Sequence, residues 1–348
     1  MRRITLDRIA RDHSLSLPAI DVALDLTGCR PSTEDWRRFA ARLMHGTGIA
    51  ALGAGIIFFV AANWQDYGII GRFVLLQLAF LAAIGVAWWR EPPHLVGSAA
   101  LVLAILLTGG LLALFGQSYQ TGADVFELFF AWALLALPLA VAAQSGAAWA
   151  TWWVVLNVGM ALYCGWLGSQ HFLWSWLDRG GIGRPLMLLV PCAVNVGGAA
   201  LFARLATTRH AAHAPRWLVR LLLALGFIYG TAASITVATG ATWGRSDVIS
   251  TPQNAFVLAF FAFTSAAVAW NALRVKEDVF PMALIIGSWI AITTAVLVKA
   301  VAFRDIGSFF LVAAWLIGTS TAAGFLLMRW VREWRIDDEG ADAPEPSA

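Results

Sequence analysis

Two polar interruptions in an otherwise apolar chain hold the residues best suited to chemistry. In the stretch LFGQSYQTGADVFELFFAW, residues 114–132, Gln117 and Tyr119 supply an amide and a phenol, and Asp124 and Glu127 supply carboxylates three positions apart. In AANWQDYGIIGR, residues 61–72, Asn63, Trp64 and Asp66 add an amide, an indole and another acid. Gathered at one membrane depth, such groups have three uses. They form a hydrogen-bonded network tying helix ends together, they line a shallow pocket for a polar headgroup or small solute, or Asp66, Asp124 or Glu127 acts as acid or base. Each also has a plainer reading. Asp124 followed by Glu127 directly before an apolar run has capping-box spacing, with Asp124 as N-cap and Glu127 at the third helical position. Asn63 can end a helix, and Trp64 can sit in the aromatic belt of a bilayer. Capping accounts for both acids of the second stretch but not for Gln117 and Tyr119. The candidate rim cluster is therefore Asn63, Trp64, Asp66, Gln117 and Tyr119.

Three further polar residues fall inside apolar runs: Gln77, Asn157 and Asn195. Amides in such places tie helices together by hydrogen bonds. Pro191, four residues before Asn195, allows either an ordinary kink or a local break whose exposed carbonyl, beside an amide, contacts a ligand. No acid, base or histidine lies near the centre of any apolar run, which argues against a charged relay for ion-coupled transport. Enzyme templates are missing: there is no G-x-S-x-G, P-loop or HExxH sequence. The three cysteines, Cys29, Cys164 and Cys192, have no CxxC or Cys/His spacing and read as small apolar fillers. No catalytic residue, cofactor or metal is expected.

These residues need elements to position them, and composition says which. Of 348 residues, 59% are hydrophobic and 13% charged, with a mean hydropathy of +0.72; a soluble domain carries nearly twice that charge. The fold class expected is an all-α polytopic membrane bundle. A bilayer core takes roughly 20 apolar residues per helix. That window selects about ten spans, near 45–64, 72–89, 95–115, 124–144, 149–168, 184–204, 217–240, 255–273, 279–299 and 306–328. Only SGAAW separates the fourth from the fifth, and Pro138 interrupts the fourth, so a kinked hairpin is expected there.

Positive charge is retained on the cytoplasmic side. With the N-terminus inside, 18 of the 24 Lys and Arg fall in inner segments. Both termini are therefore expected in the cytoplasm, and both polar interruptions on the outer face. The small net charge of +3, placed by topology, excludes a nucleic-acid surface. Residues 1–44 read as a retained helical segment on the inner face. One helix starts at Ser16 and Pro18 and stops at Gly28; another starts at Ser32 and Asp35 in capping-box spacing, with Trp36, Phe39 and Leu43 on one side. This segment either lies among headgroups or docks a cytoplasmic partner. Residues 329–348, an acidic tail, are expected to be disordered.

An apolar glycine-rich helix ending in Ala-Asn-Trp, then some fifty residues later Gly-Gln-x-Tyr, an acid and a Trp-Ala, resembles the bacterial predicted-membrane-protein family known as domain of unknown function 2157. The matching positions are Asn63, Trp64, Gly116, Gln117, Tyr119, Asp124 and Trp132, and the likeness spans residues 1–165. The family tends to carry an acid directly after the Trp, where this chain has Gln65 before Asp66. The resemblance implies no activity. It implies a multi-pass protein of the bacterial inner membrane, with the lipid bilayer and a second multi-span membrane protein as partners. The reading that follows is a non-enzymatic scaffold or subunit with an outer-rim polar network on spans one to four. The alternative is a transporter or lipid-handling protein that uses the rim as the mouth of a substrate path, and an intramembrane enzyme stands third.

Overall fold

In lipid, a long apolar segment satisfies its backbone groups within itself only as a helix, and helices are what this chain forms. A computed structural model describes residues 13, 15–26, 30–62, 67–120, 122, 124–164, 185–207, 214–240, 252–275, 278–301 and 306–341. Among the described residues there are eleven helices and no strand. They are α1 (Leu17–Leu26), α2 (Thr33–Ala62), α3 (Ile69–Trp89), α4 (Leu95–Tyr119), α5 (Val125–Ala142), α6 (Gly146–Tyr163), α7 (Pro185–Leu205), α8 (Arg216–Thr239), α9 (Pro252–Val275), α10 (Phe280–Val301) and α11 (Ile306–Ala341). Nine of them are long and apolar enough to cross a membrane. The protein is an all-α, multi-pass membrane protein.

The chain divides into two compact units, Met1–Tyr119 and Gln120–Ala348. In the first, α3 and α4 pack against each other, and α2 packs on both. Leu76, Leu107 and Leu114 are buried at the centre, with Ile56, Phe73, Phe80, Leu103 and Leu111 around them. Glycines let α2 and α4 approach closely: a Cβ on Gly53 would lie 3.1 Å from Leu106, and one on Gly110 would lie 3.2 Å from Ile57.

The second unit is organised on α8, which touches α6, α7, α9 and α10. Its face Gly226, Gly230 and Ser234 has small residues at every fourth position, the spacing that lets membrane helices meet when apolarity alone does not drive association. A Cβ on Gly226 would lie 2.7 Å from Val196 of α7, and one on Gly230 would strike Phe261 of α9. α5 and α6 form the expected hairpin, with Pro138 inside α5 and a turn at Ala143, Gln144 and Ser145. The Ser145 hydroxyl caps α6 by accepting the Ala148 N–H at 3.2 Å. At the other end, the ring of Tyr163 lies 5.2 Å from that of Phe126. α6 therefore runs back along the whole of α5.

Four expectations change. The helix that carries the first span does not start at 45: α2 is continuous from Thr33, its Ser32–Asp35 capping box is formed, and no proline or cap follows to stop it. At the expected boundary the Thr47 hydroxyl donates to the Leu43 carbonyl at 2.9 Å, so this polar residue is satisfied inside the helix. The third span runs past 115 to Tyr119. The fifth span, α6, is not among the nine, because its 18 residues include three tryptophans and Asn157. At the C-terminal end, α11 continues to Ala341 instead of becoming disordered at 329. Trp330 and Trp334, one turn apart, extend its apolar side onto Ala272 and Met282, and Arg329 donates to Glu333 at 2.7 Å.

Candidate functional site

Of the rim residues in the first unit, Gln117 and Tyr119 are described. Gly116, Gln117, Ser118 and Tyr119 form the last turn of α4 and not a loop. The chain leaves that turn through Gln120 at φ 43° and Gly122 at φ 66°, the left-handed exit common at helix ends. Residues two apart on a helix do not face each other, so Gln117 and Tyr119 address different sides. The Tyr119 ring stacks 4.9 Å from Phe115 and 6.2 Å from Phe73 of α3, yet Tyr119 stays 59% exposed. Gln117 is exposed and makes no hydrogen bond among the described residues. Asn63, Trp64 and Asp66 lie outside the described residues. The rim holds one residue that its sequence context disguised: Arg72, in the first turn of α3, is only 8% exposed. It sits one helical turn before buried Leu76 on the same side of α3.

Asp124 and Glu127, in the second unit, are occupied in starting α5. The Glu127 carboxylate accepts the Asp124 N–H at 3.2 Å, which is the return half of a capping box. Both are exposed.

The intramembrane amides also divide. Gln77 is exposed on α3 and has no hydrogen bond among the described residues, so it ties no helices together there. Asn157 of α6 and Asn195 of α7 meet face to face. The Asn157 Nδ2 donates to Asn195 Oδ1 at 3.1 Å, and the Asn195 Nδ2 donates to Asn157 Oδ1 at 2.7 Å. Each amide spends its other N–H on its own helix, Asn157 on the Trp153 carbonyl and Asn195 on the Pro191 carbonyl, both at 2.8 Å. A third helix joins through Tyr229 of α8, whose hydroxyl donates to the Asn157 carbonyl at 3.1 Å. Asn195 is completely buried, Asn157 and Tyr229 nearly so.

The bend at Pro191 is closed as well. Proline has no N–H, so the carbonyl four residues back, that of Met187, lacks its helical donor. The Cys164 thiol, at the end of α6, donates to that carbonyl at 3.5 Å. Cys164 is thus a hydrogen-bonding residue and not merely a filler; Cys192 is a buried free thiol, and Cys29 lies outside the described residues. Every donor of the two amides is taken, and the carbonyl that Pro191 releases is taken too. Such an arrangement holds helices together. Tyr229 and the Gly226, Gly230, Ser234 face were not singled out from sequence, although the small-residue spacing was readable. No group of three or more His, Cys, Asp or Glu among the described residues could hold a metal ion.

Residues 22–149 match a family model described as predicted membrane protein (DUF2157). The match takes in the rim of the first unit and the α5 cap, and it ends before Asn157, Asn195 and Tyr229. No curated protein and no solved structure matches the chain.

Proposed function

We propose that the protein is a non-enzymatic scaffold or subunit of the bacterial inner membrane, which receives a second multi-span membrane protein at the rim formed by the ends of α2, α3 and α4. The observation that carries this reading is the closed amide node. Asn157, Asn195 and Tyr229, buried in the second unit, bond to each other and to helix carbonyls, as amides that tie helices together do. At the rim the opposite holds. Gln117 is exposed and unpaired among the described residues, and Tyr119 presents more than half its surface. An amide and a phenol at a helix end are suited to hydrogen-bonding a partner's loop or helix terminus. Counting α6 as a tenth crossing, the charge distribution puts both termini in the cytoplasm and this rim outside.

The test is the native mass of the protein extracted gently from its own membrane, for wild type and for Gln117→Ala with Tyr119→Ala. A subunit loses mass to that of the free chain in the double variant while its thermal stability in detergent stays unchanged. Wild type already migrating as a free chain sinks the reading. A transporter would instead keep its mass in both forms and be stabilised against heat by a small solute.

A further inference from the structure

Whether or not the protein is a scaffold, α6 keeps its place through its neighbours in the bundle. α6 runs the length of α5 but is not among the nine helices that length and composition mark as crossings. Three tryptophans and Asn157 are the reason, since a lone amide in hydrocarbon has its polar groups unsatisfied. Its companions compensate. Asn157 is matched atom for atom by Asn195, the Asn157 carbonyl takes the Tyr229 hydroxyl, and Cys164 bonds to Met187. Packing follows the same pattern, because a Cβ on Gly198 of α7 would lie 2.5 Å from the Trp153 ring. α7 leaves room there for the bulkiest side chain that α6 presents to it.

We propose that α6 is a conditional crossing, held in the membrane by its amide exchange with α7 and its bond to α8 as well as by its own apolarity. α5 fixes where it enters, through the three-residue turn, the Ser145 cap and the bond from the Trp152 indole N–H to the Ala133 carbonyl at 2.7 Å. α7 and α8 fix that it crosses. Because α6 precedes both in the chain, it waits for them. Without Asn195 the unpaired Asn157 amide draws α6 towards the interface, where its tryptophans also prefer to be.

The experiment reads which side each end of α6 faces. In the full chain in membrane vesicles, with Cys29→Ser, Cys164→Ser and Cys192→Ala as background, a cysteine is placed at exposed Gln144 or exposed Tyr163 and treated with a membrane-impermeant maleimide from either side. With the amide pair intact, the two positions label from opposite sides. Adding Asn195→Leu abolishes the one-sided labelling at position 163. Adding Asn157→Leu as well restores it, because α6 then carries an apolar side chain where the unpaired amide stood. One-sided labelling that survives Asn195→Leu overturns the proposal. So does a loss that Asn157→Leu fails to reverse, which would assign the defect to packing alone.

Discussion

Asn157 and Asn195 face each other across α6 and α7 so that each amide is donor and acceptor to the other, at 3.1 and 2.7 Å. In a low-dielectric interior an unpaired amide costs more than a paired one contributes. Asn195→Ala is therefore expected to lower unfolding stability in detergent by about 1–3 kcal/mol. The double variant with Asn157→Ala should cost less than the two singles together, with a coupling of about 0.5–2 kcal/mol. Additive effects in a double-mutant cycle would show that the two amides are not a unit.

Gly230 is where α8 comes closest to its neighbours. A Cβ there would strike Phe261 and stand 3.0 Å from the Cys192 sulfur. Gly230→Ala should destabilise by about 1–3 kcal/mol through overpacking. Gly287 of α10 has nothing within 4 Å of the same position, so Gly287→Ala should be neutral or stabilising by up to about 1 kcal/mol. Thermal unfolding of the two variants side by side checks the contrast.

Much of the architecture was readable in advance, and the failures share a cause. Crossing helices announce themselves by unbroken apolar length, and the caps at Ser32 and Asp124 by residue types with fixed hydrogen-bonding reach. What did not announce itself depends on neighbours. Composition alone could not separate Asn157 and Asn195, which find each other, from Gln77, which faces outward. Nor could the polar letters of GQSY show that α4 continues through them, since helix formation is decided by backbone and packing and not by polarity. Tyr229 looked like one more aromatic residue because its partner is a main-chain carbonyl 72 positions away. The tail from 329 reads as disordered because its charges outnumber Trp330 and Trp334, yet those two rings pack onto Ala272 and Met282.

Arg220 of α8 grips Asp278 with two bonds, Nε to Oδ2 at 2.9 Å and Nη2 to Oδ1 at 3.0 Å. Asp278 Oδ1 also accepts the Phe280 N–H at 3.0 Å, at the first residue of α10. The ion pair is partly exposed, with side-chain accessibilities of 47% and 32%, so solvent screening limits its own worth to about 0.2–1 kcal/mol. Asp278→Ala loses the cap too, which adds about 1 kcal/mol. The expected order is Asp278→Ala worse than Arg220→Ala, read from denaturation in a graded detergent series; equal losses would leave the cap without weight.

Gln144, in the turn between α5 and α6, sits at φ 46°, a conformation that costs a residue with a Cβ about 1–2 kcal/mol. Gln144→Gly should be stabilising by up to about 1 kcal/mol, and Gln144→Val, branched at Cβ, should be destabilising by at least as much. A melting temperature that falls in the glycine variant would mean that the Gln144 side chain contributes more than its backbone costs.

The glycines of α7 and α8 also carry a genetic consequence. Every missense change in a glycine codon adds at least a Cβ, so at Gly198, Gly226 and Gly230, where a Cβ meets Trp153, Val196 or Phe261, no single-base substitution that alters the amino acid is spared. At Gly46, Gly48 and Gly55 of α2, which have open space around them, alanine and serine alleles fit without a clash. Residues of one type are thus under opposite mutational constraint, and the difference lies in what stands across from them.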